Sequence, residues 1–65
     1  MYRIQLTMLE DNYKQYMRKI TLSQTILPGT LCCSYAKGCV YIIAAYEATF
    51  NTALKILNEI LNGSK

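Results

Sequence analysis

The spacing of apolar residues changes several times along the chain, and each change marks an element. From Met1 to Leu9 apolar and polar residues alternate. Tyr2, Ile4, Leu6 and Met8 fall on one side, and Arg3, Gln5 and Thr7 on the other, which predicts a half-buried strand. Glu10-Asp11-Asn12 then reads as a turn or a helix start.

Asn12 to Leu27 supports two readings. Tyr13, Tyr16, Met17 and Ile20 have helical spacing, with Asp11 or Asn12 as cap. Tyr16, Arg18, Ile20 and Leu22 have strand spacing, and ITLSQTIL is rich in β-branched residues. After Ile20 the helical period fails, because Ser23 and Gln24 occupy positions that need apolar residues. The pattern therefore favours a strand over Gln15 to Ser23, entered by a hairpin from the first. A short helix here would give the order β-α-β-β-α instead.

Pro28-Gly29 is a turn signal, since proline presets φ at one turn position and glycine accepts positive φ at the next. Leu31 to Tyr35 reads as a strand, and Lys37-Gly38 fits a two-residue hairpin loop. That loop sets Tyr35 opposite Val40, Cys33 opposite Ile42 and Leu31 opposite Ala44, three pairs suited to one buried face.

The next strand, in CVYIIAAYE, is apolar on both faces. Val40, Ile42 and Ala44 point one way, and Tyr41, Ile43 and Ala45 the other. Such a strand is normally central and covered on both sides. One helix can cover only one side, so Tyr41, Ile43 and Cys32 are left on a face that a loop, a second helix or another molecule must cover.

The closing segment TFNTALKILNEILN is an amphipathic helix. Phe50, Ala53, Leu54, Leu57, Ile60 and Leu61 form one stripe, and Asn51, Lys55, Asn58, Glu59 and Asn62 the opposite side. Thr49 suits the N-cap. Gly63 suits a left-handed C-terminal residue, with Ser64 and Lys65 fraying beyond it. Lys55 and Glu59 are an i, i+4 pair in the weaker order. The expected fold is thus α+β: one domain over residues 1–65, with a small antiparallel sheet of three to four strands and the C-terminal helix packed on a face.

Composition narrows the class of protein. Hydrophobic residues make up 52% of the 65 and charged residues 17%, too apolar for a disordered chain. A core this small supplies only a few kcal/mol net, so oligomerisation, a homodimer included, is expected to help. The longest apolar run, Cys39 to Tyr46, is far short of the ~20 residues that span a bilayer. MYRIQLTM lacks a basic region followed by an apolar core, so no signal peptide and a cytoplasmic location are expected.

Chemistry is constrained by what is missing. Without histidine, Ser–His and Cys–His nucleophile pairs cannot form within the chain. The acids are Glu10, Asp11, Glu47 and Glu59, and the glycines are isolated turn residues rather than a phosphate loop. Cys32, Cys33 and Cys39 supply too few zinc ligands. Cys32 and Cys33 also point to opposite faces, and Cys39 falls opposite Ala36. No catalytic residue, metal or cofactor is expected, and the chain reads as a non-enzyme.

Six of the seven aromatics are tyrosine, a residue that offers large area with a polar tip. The expected function is therefore protein binding by occlusion of a partner protein, through Tyr13, Tyr16, Arg18, Tyr35 and Tyr41. Small accessory proteins of phages and mobile elements, inhibitors of host defence of the anti-CRISPR or antitoxin type, commonly work this way. That setting is an expectation about small proteins in general. The alternative is an RNA- or DNA-binding protein, in which Arg3, Lys14, Arg18 and Lys19 meet phosphate while tyrosines stack on bases. The net charge of +3 allows either.

Overall fold

The two-faced strand takes the central place. In the computed structural model, which describes residues 1–23, 26–27 and 29–63, the chain runs β1 (Tyr2–Thr7), α1 (Glu10–Leu22), β2 (Leu31–Ala36), β3 (Cys39–Ala44) and α2 (Glu47–Leu61). The sheet order is β1-β3-β2, with both neighbours antiparallel to β3. β1 and β2 are therefore parallel to each other, joined by α1, and β3 is inserted between them.

The hairpin has the register that its loop demands: Tyr35 faces Val40, Cys33 faces Ile42 and Leu31 faces Ala44. Lys37 and Gly38 both take positive φ, 53° and 78°, the twist that a two-residue loop needs to match the strands. β1 adds Ile4 opposite Ile42 and Leu6 opposite Val40. Met8 closes that edge by donating its N–H to the Gly38 carbonyl at 2.9 Å.

The strand expected over Gln15 to Ser23 does not form. Residues Glu10–Leu22 are helical, so the order is β-α-β-β-α and no hairpin joins β1 to that segment. Glu10 and Asp11 in the first turn and Lys19 in the last complement the helix dipole. The cap position falls at Leu9, not Asp11 or Asn12, and without a side-chain bond. The β-branched Thr21 is accommodated by donating its hydroxyl to the Met17 carbonyl at 2.8 Å.

Both helices lie against the same side of the sheet. Tyr13 of α1 stacks on Tyr35 of β2, with ring centroids 5.0 Å apart, and Phe50 of α2 stacks on Tyr2 of β1 at 5.7 Å. Between the layers, Tyr16, Val40, Ile42 and Leu57 are fully enclosed, with Met8, Ala53 and Ile60 around them. Each large side chain in that set contributes roughly 1.5–3 kcal/mol of transfer free energy.

α2 starts earlier than a Thr49 cap would allow. Tyr46 holds the cap position and the Phe50 N–H bonds to its carbonyl at 2.9 Å, while Thr49 is buried inside the helix. Its apolar stripe is as the spacing predicts, with Leu61 more exposed than the rest. Gly63 takes φ 71° just past the helix and bonds to the Ile60 carbonyl. Glu59 pairs with Lys19 of α1 at 3.9 Å, tying the helices across solvent rather than pairing along α2 with Lys55. Of the predicted turn, Gly29 has φ 85°. Pro28, and the frayed end at Ser64 and Lys65, lie outside the described residues.

Candidate functional site

With α1 and α2 on one side, no helix or strand of the described residues covers the other side of the sheet, which Met1, Gly29 and Thr30 border at its Cys32–Ile43 end. The pairing sets its side chains in three rows across the strands: Arg3, Ile43 and Cys32; Gln5, Tyr41 and Ser34; Thr7, Cys39 and Ala36. Tyr41 and Cys39 are half-buried by their neighbours, and the other seven are exposed. The central strand supplies the apolar axis, Ile43 and Tyr41. Arg3 is the only charge among the nine. Arg3, Ile4, Gln5, Tyr41 and Ile43 enclose a shallow hollow on the β1 side.

This arrangement redistributes the expected contact residues. Tyr16 is fully buried and donates its hydroxyl to the Ala53 carbonyl of α2, so it belongs to the core. Tyr35 donates to the Met8 carbonyl at 2.7 Å and carries the Tyr13 ring, which makes both parts of the helix-to-sheet packing. Arg18 is exposed on α1, on the far side of the molecule from the uncovered face. Of the five, only Tyr41 lies on that face.

The basic set also divides. As a strand, Lys14, Tyr16 and Arg18 would share a face. On a helix, Lys14 and Arg18 stay together at i, i+4 while Tyr16 turns inward. Lys19 is engaged with Glu59, and Arg3 stands on the sheet's opposite side. Arg3, Lys14, Arg18 and Lys19 therefore do not form one surface. Gln5, Ser34 and Arg3 join Tyr41 only because β1 pairs with β3, a contact between distant segments that no local signal announces.

The titratable groups here follow burial. Burial pushes the Cys33 thiol up, and the Tyr16 hydroxyl beside it works partly against this while Cys32 adds to it. Burial likewise raises Tyr13, with smaller contributions from Cys33 and Cys32, and raises Tyr16 strongly. Cys32 is exposed, and Cys33 and Cys39 are half-buried; all three are free thiols. Among the described residues, no three His, Cys, Asp or Glu side chains gather, and no helix is long and apolar enough to cross a membrane. The face presents aromatic and aliphatic area, two hydrogen-bonding side chains beside Tyr41, and one guanidinium.

Compared with known proteins, the chain matches no family model, no curated protein and no solved structure.

Proposed function

We propose that the chain is a non-enzymatic protein-binding module, acting in the cytoplasm by laying the uncovered face of its sheet on a partner protein and occluding it. The observation that supports this is the placement of both helices on one side, which leaves Ile43 and Tyr41 of the central strand outward. Apolar area of this kind, rimmed by polar groups, marks an interaction surface, and tyrosine suits the wet margin of one. Arg3 sets the chemistry of the partner: apolar side chains over the central strand and a carboxylate opposite the guanidinium. Inhibition of a host defence by a phage or mobile-element protein, in the manner of an anti-CRISPR or an antitoxin, is the setting this mode of action fits.

Nucleic-acid binding has its own supporting observation. From Asn12 to Leu22, α1 carries three cations and no acid, and Lys14 and Arg18 stand exposed together.

Parallel captures separate the two readings. Wild-type protein, Ile43→Lys and a Lys14→Glu/Arg18→Glu double variant would be immobilised, and the retained proteins and nucleic acids compared at several salt concentrations. The expected result is a protein held by wild type and the double variant, lost with Ile43→Lys, and shielding Cys32 from alkylation. Retention that ignores Ile43→Lys, fails in the double variant and falls steeply with salt would overturn it in favour of nucleic acid.

A further inference from the structure

The two edges of the sheet are not equivalent. In an antiparallel ladder each residue turns its N–H and C=O together, to one side or the other in alternation. The Ala45 N–H donates to the Thr30 carbonyl at 2.8 Å, which fixes the phase of the β2–β3 ladder. Cys32, Ser34 and Ala36 then bond inward to β3, and Leu31, Cys33 and Tyr35 direct N–H and C=O to the free edge. No backbone group of the described residues meets them. β2 has no charge, proline or bulge, the usual devices that keep an edge from pairing. The β1 edge has Arg3, and the cleft beside it under α2 is rimmed by Asn51, Lys55 and Asn58.

The β2 edge also has a side-chain pocket. A cleft of about 260 Å³ opens between α1 and β2, with Met17, Ile20, Ile26, Leu27, Leu31 and Cys33 in its wall. That volume is small for a cofactor and sufficient for one or two apolar side chains. It lies on the helix side of the sheet, where the residues of an added strand opposite Leu31 and Cys33 would point. Beside it on α1, Lys14 and Arg18 are exposed, with no acid in the helix beyond Asp11.

We propose that the β2 edge binds an extended, helix-free segment of a partner protein as a fourth strand, with an apolar side chain in the cleft and an acidic residue against Lys14 or Arg18. Backbone pairing supplies affinity and the cleft supplies selection. The helix layer argues against a second copy in this place. α1 lies over β2, and strands stand about 4.8 Å apart. Pairing β2 with its own copy would bring two α1 helices to roughly 5 Å, where packed helices need 8–10 Å. This surface is separate from the uncovered face, so either reading can fail alone.

The test is selection of a phage-displayed random peptide library on the folded full chain, followed by amide mapping of the selected peptides. The expected peptides alternate apolar and polar residues and carry an acid. They shift and protect the amides of Leu31, Cys33 and Tyr35 while sparing those of Cys32 and Ser34. Thr21→Trp, which fills the cleft from an exposed position, and Leu31→Pro, which removes one outward N–H, should each weaken binding about tenfold or more. Ile43→Lys should leave it unchanged. Selection of no peptide, of peptides sensitive to Ile43→Lys, or of peptides that protect no alternating set of β2 amides would overturn the inference.

Discussion

The hydroxyl of Tyr16 on α1 donates to the backbone carbonyl of Ala53 on α2 at 3.2 Å, although the two residues are 37 apart in the chain. The bond joins the helices at the centre of the core, where the Tyr16 hydroxyl also lies beside the Cys33 thiol of β2. Tyr16→Phe keeps the ring and removes the bond. The Ala53 carbonyl sits within α2, so no orphaned partner is created. The expected loss is about 1 kcal/mol, read as a lower urea midpoint at unchanged slope. A Tyr41→Phe control, which keeps the half-buried ring and removes a hydroxyl on the uncovered face, should change stability by less than about 0.5 kcal/mol.

The same burial makes stability depend on alkaline pH. Tyr16 and Tyr13 are raised above an ordinary 10.0, and Cys33 above 9.0, chiefly by burial. Each group is neutral when protonated, and the folded chain holds its proton more tightly than the unfolded chain. Below about pH 8 both states are protonated and the contribution is complete. As pH rises through the unfolded-state values, the unfolded chain releases protons that the folded chain keeps, and stability falls. Urea midpoints should be level up to about pH 8 and decline above it, with the decline beyond about pH 9 to 10 less steep in Tyr16→Phe. An identical decline in wild type and variant would show that Tyr16 is not enclosed.

The hairpin loop predicts two changes of opposite sign. Lys37 has φ 53°, a conformation that costs a residue with a Cβ about 1–2 kcal/mol and that asparagine tolerates better. Lys37→Asn should raise stability by about 0.5 kcal/mol. Gly38 has φ 78°, with nothing within 4 Å of the place a Cβ would take. Gly38→Ala should therefore cost about 1–2 kcal/mol through the backbone alone, without a clash. Thermal unfolding of the two variants beside wild type checks both signs.

What the sequence made legible was local. The Lys37-Gly38 loop sets the β2–β3 register, alternation marks β1, and the stripe through Leu57 marks α2, because each signal is complete within a few residues. In the segment after Asn12 the local pattern and the fold part for a physical reason. Ile20, Thr21 and Leu22 favour a strand by themselves, and the helix prevails because Tyr16 and Met17 gain a core on Cys33 and α2 that lies far along the chain. The same distance concealed the make-up of the uncovered face. Tyr41 and Ile43 were recognisable as the outer face of β3. Arg3 and Gln5 join them only through the β1–β3 pairing, and nothing in the spacing said that a second helix would take the side already covered.

Ile42 and Ile43 are neighbours on β3 that face opposite ways, which makes them a direct test of the one-sided layering. Ile42 is 0% exposed beneath both helices and Ile43 is 37% exposed on the uncovered face. Alanine at Ile42 would cost about 2–5 kcal/mol, enough to unfold a domain of this size, so valine is the better probe. Ile42→Val should cost about 0.5–1.5 kcal/mol. Ile43→Val should cost less than about 0.5 kcal/mol, and Ile43→Lys should leave the far-UV spectrum unchanged. Equal costs at the two positions would mean that Ile43 is enclosed in solution as well. Only a second copy is present in a purified sample to enclose it, so the cost at Ile43 would then shrink on dilution while the cost at Ile42 would not. Urea unfolding of the variants at two protein concentrations therefore separates a face held open for a partner from one that the chain covers with itself.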